Sequence, residues 1–200
     1  MVLAALCWGL SGGIAAALMG QGWDPFVVSF HRSAIGLVFV LVWLVLRRRD
    51  SGPRNRRAWF WSVIAGLGVA GNFAFYFVSI AQGSLAVAVT LMYCAPVFVL
   101  FVSSVLGLER PGAPQWISVA LVILGIVLLT GVQDAGASAV TMIGTGAGLL
   151  AGLSYAVFLF GFKYAAPHAS PQAILAIAFT VTAGVLVWPA DSGQLVAGLN

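Results

Sequence analysis

Long apolar segments alternate with short polar stretches along the whole chain. In a helix, about 20 consecutive apolar residues cross the hydrocarbon core of a bilayer. The apolar segments are longer than barrel strands and show no apolar–polar alternation, which argues against a membrane barrel. The pattern predicts an all-α integral membrane protein with seven transmembrane helices, at 1–20, 26–46, 58–80, 85–107, 115–132, 143–163 and 172–190.

Composition and charge place these helices in a cell membrane. Of the 200 residues, 62% are hydrophobic and only 7% are charged, whereas about 25% of the residues in soluble proteins are charged. Six of the nine basic residues lie between Arg47 and Arg57, as in a cytoplasmic loop. We therefore expect a multi-pass protein of the plasma or inner membrane with a cytoplasmic N-terminus. Its partner is then the lipid bilayer and not a nucleic acid.

The sequence contains few groups suited to catalysis. Cys7 and Cys94 lie inside apolar segments with no further Cys or His at ligand spacing, so we expect no disulfide, no metal site and no other cofactor. No Asp or Glu lies within a predicted span, and only His31 and Arg32 are titratable neighbours there. Because a nucleophile–base pair and a metal cluster are both missing, we do not expect a membrane-embedded enzyme.

Three short matches in the same order indicate an internal repeat of five helices. Since five is odd, the second copy begins on the opposite side of the membrane, and the two copies are inverted, as in many secondary transporters. We expect residues 1–132 to form the first five-helix repeat and residues 143–200 to hold the first two helices of a truncated second repeat. The matches are Leu3–Trp8 with Leu150–Tyr155, Pro25 with Pro171, and Val40–Trp43 with Val185–Trp188, at offsets of 147, 146 and 145 residues.

Several stretches resemble the EamA branch of the drug/metabolite transporter superfamily. Trp8-Gly9 is similar to the family's early tryptophan-glycine, and Arg32 stands where the family commonly has an arginine. The resemblance implies ten helices in two inverted repeats, both ends cytoplasmic, and export or import of small metabolites. Its longest part runs from Ala86 through Ala95-Pro96-Val97 and Leu108-Glu109-Arg110 to Gly125–Leu129.

Polar and aromatic side chains recur at helical spacing on four predicted spans. In a membrane, such side chains either face a cavity or form hydrogen bonds between helices. The first interpretation predicts a substrate cavity for an uncharged or zwitterionic ligand with an apolar body, and the second predicts ordinary helix packing. The candidate cavity residues are Trp8, Ser11, Asn72, Tyr76, Ser79, Thr90, Tyr93, Ser154, Tyr155 and Phe158.

Arg32 is a charge within a predicted span, where an arginine costs about 2.5–3.5 kcal/mol at the helix centre on insertion scales. It either contacts an anionic group of a substrate, or it reaches outwards or to backbone carbonyls and holds helices together. The neighbouring His31 is either a candidate protonation site, because imidazole is the side chain suited to proton exchange near neutral pH, or a residue with an interfacial or packing role. Because adjacent helical residues point about 100° apart, we expect His31 and Arg32 not to face the same surface.

Proline and glycine positions predict local features of the helices. Pro96 cannot donate a hydrogen bond to the Met92 carbonyl, so we expect a kink there. The kink exposes a carbonyl to the cavity, serves as a hinge, or only fits the shape of the helix to its neighbours. Small residues spaced by four let helices approach closely. Such close contacts are predicted at Gly9 and Gly13 and at Gly144, Gly148 and Gly152.

Together these features predict a secondary carrier that exports small metabolites, such as amino acids or drugs, by alternating access. Its second partner would be a small-molecule substrate. Two alternatives stay open, namely a non-transporting membrane assembly partner and an inactive truncated remnant. A homodimer, in which two chains complement each other, is a further possibility.

Overall fold

The computed structural model describes residues 2–46, 55–105, 107, 112–130 and 141–197, and all regular structure in these ranges is helical. The predicted all-α class is therefore confirmed for this part of the chain. The helices are α1 (Val2–Gly20), α2 (Pro25–Leu46), α3 (Arg56–Ala81), α4 (Leu85–Met92), α5 (Ala95–Val105), α6 (Ala113–Thr130), α7 (Met142–Ala165), α8 (Pro171–Leu186) and α9 (Ser192–Ala197).

Four helical stretches are long and apolar enough to cross a membrane, namely α2, α3, α4 together with α5, and α7. Shorter apolar stretches lie in α1, α6 and α8. These helices coincide with the seven predicted spans in position, and the count of seven stays a prediction. The arginines at positions 47–49 and 54 of the predicted cytoplasmic loop, Glu109, Arg110 and the segment 131–140 between the two predicted repeats lie outside the described residues.

Short polar side chains between the apolar segments cap the N-terminal ends of several helices. The carboxamide oxygen of Asn55 accepts a hydrogen bond from the backbone N–H of Ala58 at 2.9 Å, at the start of α3. Such caps satisfy N–H groups that the first helical turn leaves without a partner. The hydroxyl groups of Ser84, Thr141 and Ser170 cap α4, α7 and α8 in the same way.

α3 is the central helix of the described part, and it packs against α7 on one side and α8 on another. The contact with α7 is close because small residues face it. A Cβ atom built on Gly68 would lie 2.5 Å from the backbone nitrogen of Phe158 and 2.8 Å from its Cα. One built on Gly161 of α7 would lie 2.6 Å from the backbone nitrogen of Ala65. The two backbones therefore touch along several turns.

The glycine contacts predicted from the sequence occur on α7 but not on α1. Cβ atoms built on Gly148 and Gly152 would lie 2.8 Å and 3.0 Å from atoms of Leu91 of α4, and one built on Gly144 would lie 3.3 Å from the Gln82 carbonyl oxygen. Those built on Gly9 and Gly13 meet nothing within 4 Å among the described residues. The prediction is wrong for α1 in this part of the chain, because α1 turns other residues toward its neighbours.

α2 and α8 pack against each other and run in opposite directions. Gln194 of α9, just beyond α8, fixes this arrangement. Its Oε1 accepts a hydrogen bond from the backbone N–H of Asp24 at 2.7 Å, and its Nε2 donates to the Gly22 carbonyl at 3.3 Å. Since Asp24 directly precedes α2, the C-terminal end of α8 lies beside the N-terminal end of α2.

Candidate functional site

A cavity of about 990 Å³ lies between α1 and α2 and is called here the α1–α2 cavity. Most of its lining is aliphatic or aromatic, and Phe73 of α3 and Phe179 of α8 complete it. Arg32 and His31 of α2 supply a charge and an ionisable ring. Pockets for drug-sized ligands have volumes of roughly 300–1,000 Å³ and a few polar groups on mostly apolar walls. The α1–α2 cavity has the size and the chemistry of such a site.

Arg32 links this cavity to α3. Its guanidinium carbon lies 4.7 Å from the ring centroid of Phe73 and 5.8 Å from that of Phe77. Both distances are within the range of a cation–π interaction, which extends to about 6 Å. Tyr76 adjoins this contact, since its ring lies 5.4 Å from the Phe77 ring, centroid to centroid. The Arg32 side chain thus joins α2 to α3 and, at the same time, lines the cavity.

His31 lines the same cavity as Arg32, so the expectation that they face different surfaces is wrong. The cavity follows two neighbouring stripes of α2, one through Val27 and His31 and one through Val28 and Arg32, which together cover a face wider than 100°. The Nδ1 atom of His31 lies 2.9 Å from the Val27 carbonyl oxygen, one turn earlier. Its Nε2 is buried and has no hydrogen-bond partner among the described residues.

Three of the predicted residues come together as a tyrosine cluster, formed by Tyr76 of α3, Tyr93 at the end of α4, and Tyr155 of α7. Tyr93 lies close enough to both of the other tyrosines for an ionised phenolate at one position to affect the others. Tyr76 is buried, and its hydroxyl oxygen would lie 3.7 Å from a Cβ atom built on Gly12 of α1. The cluster therefore reaches from α7 to α1 and adjoins Arg32.

Asn72 and Ser79 point to α7 instead. The side-chain nitrogen of Asn72 donates to the Ala151 carbonyl at 3.0 Å, and the Ser79 hydroxyl donates to the Gly144 carbonyl at 2.6 Å. Both side chains are buried. Their polar atoms thus join α3 to α7, as the packing interpretation of the sequence expects.

Of the two remaining candidates on α7, one joins the contact with α3 and the other joins the tyrosine cluster. The Ser154 side chain packs beside Gly71 of α3, where a built Cβ atom would approach its hydroxyl oxygen to 2.6 Å. The Phe158 ring lies 5.7 Å from the Tyr155 ring, centroid to centroid. Phe158 thus extends the tyrosine cluster along α7, while Ser154 belongs to the contact between α3 and α7.

The remaining predicted residues lie on α1 and α4. Ser11 lines the α1–α2 cavity, and among the cavity candidates whose side chains the structure describes it alone does so. The Thr90 hydroxyl donates to the Ala86 carbonyl of its own helix at 2.8 Å. Trp8 lies on α1, and its side chain is outside the described part of the chain.

The predicted kink at Pro96 takes the form of an interruption between α4 and α5. α4 ends at Met92 and α5 begins at Ala95. Since Pro96 has no N–H, the Met92 carbonyl loses its usual helical donor. A Cβ atom built on Gly152 of α7 would lie 3.2 Å from that carbonyl oxygen, so α7 covers the interruption closely. Tyr93 lies within it.

The polar pattern of the sequence did not reveal the apolar walls of the α1–α2 cavity. Ile35 and Phe39 of α2 line it, as does Phe179 from a distant part of the chain. A stripe of residues four apart along α2, through Val27, His31, Ile35 and Phe39, was the available signal. We expected polar residues to mark the site, whereas most of this lining is apolar.

Comparison with known proteins identifies the kind of protein that carries this site. A model of the EamA-like transporter family matches residues 1–131. The chain belongs to this family. The resemblance read from the sequence is therefore confirmed, and the chain is a multi-pass membrane protein of the drug/metabolite transporter type. No curated protein and no solved structure matches it.

The matched region of this EamA-like protein contains only part of the site. Arg32, Tyr76, Tyr93 and Pro96 lie within it, and Tyr155 lies beyond it. The tyrosine cluster thus combines family-matched helices with a helix from the second predicted repeat.

Proposed function

We propose that this chain forms part or all of a secondary carrier that exports small metabolites, such as amino acids or drugs, across the cell membrane by alternating access. The observation that carries the proposal is the α1–α2 cavity, which lies between two apolar helices and reaches α3 through Arg32. With both helices in the membrane, as the sequence predicts, the cavity lies at membrane depth. A transporter of small molecules needs a ligand-sized cavity at that depth. Membership of the EamA-like family supports the same conclusion.

The substrate in this proposal lies in the α1–α2 cavity, with its polar end at Arg32 beside the tyrosine cluster. Tyrosine hydroxyl groups donate and accept hydrogen bonds, and their rings provide flat apolar surfaces. A zwitterionic or uncharged solute with an apolar body suits such walls. Its polar end then faces Arg32 and the Tyr76 hydroxyl, and its apolar body contacts the apolar walls of the cavity, such as Ile35 and Phe39.

Alternating access follows from the inverted repeat that the sequence predicts. α2 and α8 are equivalent helices in that repeat, and they pack against each other in antiparallel fashion. Equivalent helices beside a two-fold axis in the membrane plane are arranged in this way. In this proposal, the two halves rock about this contact, and the interruption before Pro96 serves as a hinge.

Transport by the purified chain in proteoliposomes tests this function. Radiolabelled amino acids and cationic dyes are offered, and flux is compared for wild type, Tyr76→Phe and Tyr164→Phe. Tyr164 is the matched control because its ring stacks on Trp61 at a centroid distance of 4.8 Å, close to the end of α7. We expect Tyr76→Phe to raise the half-saturating concentration by roughly two- to tenfold, since one hydrogen bond contributes about 0.5–1.5 kcal/mol, and Tyr164→Phe to leave it unchanged.

Two results would count against the proposal. If the folded wild-type chain moves none of the solutes, the non-transporting partner or inactive remnant becomes the better description. If transport occurs and both variants behave like wild type, Tyr76 is not part of the substrate site.

A further inference from the structure

The α1–α2 cavity has an open side that is lined by exposed apolar residues. Ile14, Ile35 and Phe39 line the cavity, yet they are 61%, 69% and 76% exposed. On helices that span a membrane, exposed apolar side chains meet the acyl chains of lipids. A ligand can therefore enter this cavity sideways from the bilayer, and the part of the ligand that lies along the opening must be apolar.

The cavity is long and follows the helices. Its lining on α1 extends from Cys7 to Leu18, and that on α2 extends from Val27 to Val40. At a rise of about 1.5 Å per residue, these stretches measure about 16 and 20 Å. An elongated cavity between two helices accommodates one extended chain that lies parallel to them, better than it accommodates a compact, rounded solute.

The polar groups of the cavity suit a carboxylate. Arg32 carries a positive charge among apolar walls, where a low dielectric strengthens its attraction for an anion, and a guanidinium group binds a carboxylate through two parallel hydrogen bonds. His31 lines the cavity as well, and its buried Nε2 has no partner among the described residues. A carboxyl group can accept hydrogen bonds from Arg32 and share a proton with such a nitrogen.

Taking only the location of the site from the proposed function, we infer that the α1–α2 cavity binds an amphiphilic carboxylate with a single apolar chain, which it takes up from the bilayer. The carboxylate lies at Arg32 and His31, and the chain extends along Ile35 and Phe39. Binding is measured without transport, so a failure of this inference and a failure of the transport proposal are distinguishable.

Photolabelling of the full chain in phosphatidylcholine nanodiscs tests the inference. One probe is a fatty acid with a diazirine on its chain, and the other is the matched fatty alcohol, which lacks the charge. Labelled positions are mapped by mass spectrometry. We expect saturable labelling of α1 and α2 by the acid, at a half-saturating concentration at least about tenfold lower than that of the alcohol, because a hydrogen bond to a charged group is stronger than a neutral one.

Matched variants separate the charge from the shape of the cavity. Arg32→Gln is expected to abolish the advantage of the acid, whereas Arg57→Gln, a change at the exposed start of α3, is expected to preserve it. Since Arg32→Gln can also disturb folding, a second pair is used. Ile35→Trp blocks the open side and is expected to reduce labelling at least about tenfold, whereas Val38→Trp, which is exposed but outside the cavity lining, is not.

Three results would overturn the inference. The first is equal labelling by acid and alcohol, and the second is labelling spread over all helices without saturation. The third is the loss of acid labelling in nanodiscs that contain phosphatidylglycerol, because a two-chain anionic lipid would then be the occupant of the cavity.

Discussion

Replacement of Gly68 by alanine tests whether α3 and α7 approach each other as closely as described. The added Cβ atom would lie 2.5 Å from the backbone nitrogen of Phe158, 2.8 Å from its Cα and 2.9 Å from the carbonyl oxygen of Ser154. All three are backbone atoms of α7, so no side-chain rotation can relieve the contact. The two helices must separate, and they lose part of the packing that joins them.

The expected cost is the balance of two effects. Overpacking of a tight contact costs typically about 1–3 kcal/mol, and alanine is favoured over glycine inside a helix by up to about 1 kcal/mol. Because the clash involves only backbone atoms, we expect the upper part of the first range and a net destabilisation of about 2 kcal/mol. Unfolding by a titration with sodium dodecyl sulfate, followed by circular dichroism, measures this difference.

Gly13→Ala on α1 is the matched control, since a Cβ atom there meets nothing within 4 Å. We expect this variant to be as stable as wild type or slightly more stable. If Gly68→Ala also unfolds at the wild-type concentration of detergent, α3 and α7 do not touch at this position, and the central place of α3 is refuted.

Three further predictions concern the helix contacts and the interruption before Pro96. Asn72→Leu removes a hydrogen bond between helices and is expected to lower the free energy of unfolding by about 0.5–2 kcal/mol in the same titration. Thr180→Val is the control, because the Thr180 hydroxyl bonds within its own helix, and it is expected to change this free energy by less than about 0.5 kcal/mol. Equal effects of the two variants would contradict the prediction. Pro96→Ala restores a backbone N–H, so amide hydrogen exchange of residues 93–97 should slow, and unchanged exchange would argue against the interruption. Gln194→Ala removes the hydrogen bonds that hold the loop before α2. In a chain that carries Trp23→Cys as a reporter, this change should make labelling by a water-soluble maleimide several-fold faster. Identical labelling rates with and without Gln194→Ala would show that this contact does not hold the loop.

The helices were predictable because the membrane imposes a simple requirement on the sequence. Each span needs a long apolar run, and the polar residues between runs serve as helix caps, as Asn55 and Ser170 do. The interruption before Pro96 was also predictable, because proline lacks the donor that continues a helix. The helix ends four residues before Pro96, at Met92, since that residue carries the carbonyl to which Pro96 cannot donate a hydrogen bond.

The site was less predictable because polar residues have two uses in a membrane protein. The spacing of Asn72, Tyr76 and Ser79 places all three on related faces of α3, yet only the Tyr76 hydroxyl faces α1. The other two bond to carbonyls of α7, a contact that depends on how helices far apart in sequence meet. Likewise, the angle between His31 and Arg32 follows from helix geometry, but the width of the cavity that both line depends on the position of α1.

The partners of α3 impose an order on the synthesis of this protein. The side chain of Asn72 bonds to a carbonyl 79 residues further along the chain, and that of Ser79 bonds to one 65 residues further along. At a translation rate of about 5–20 residues per second, Asn72 waits on the order of 4–16 s for its partner to leave the ribosome. During that interval α3 must remain beside the insertion machinery or find provisional partners, because lipid offers its amide none. The central helix of the fold is thus among the first helices to be made and among the last to reach its final neighbours.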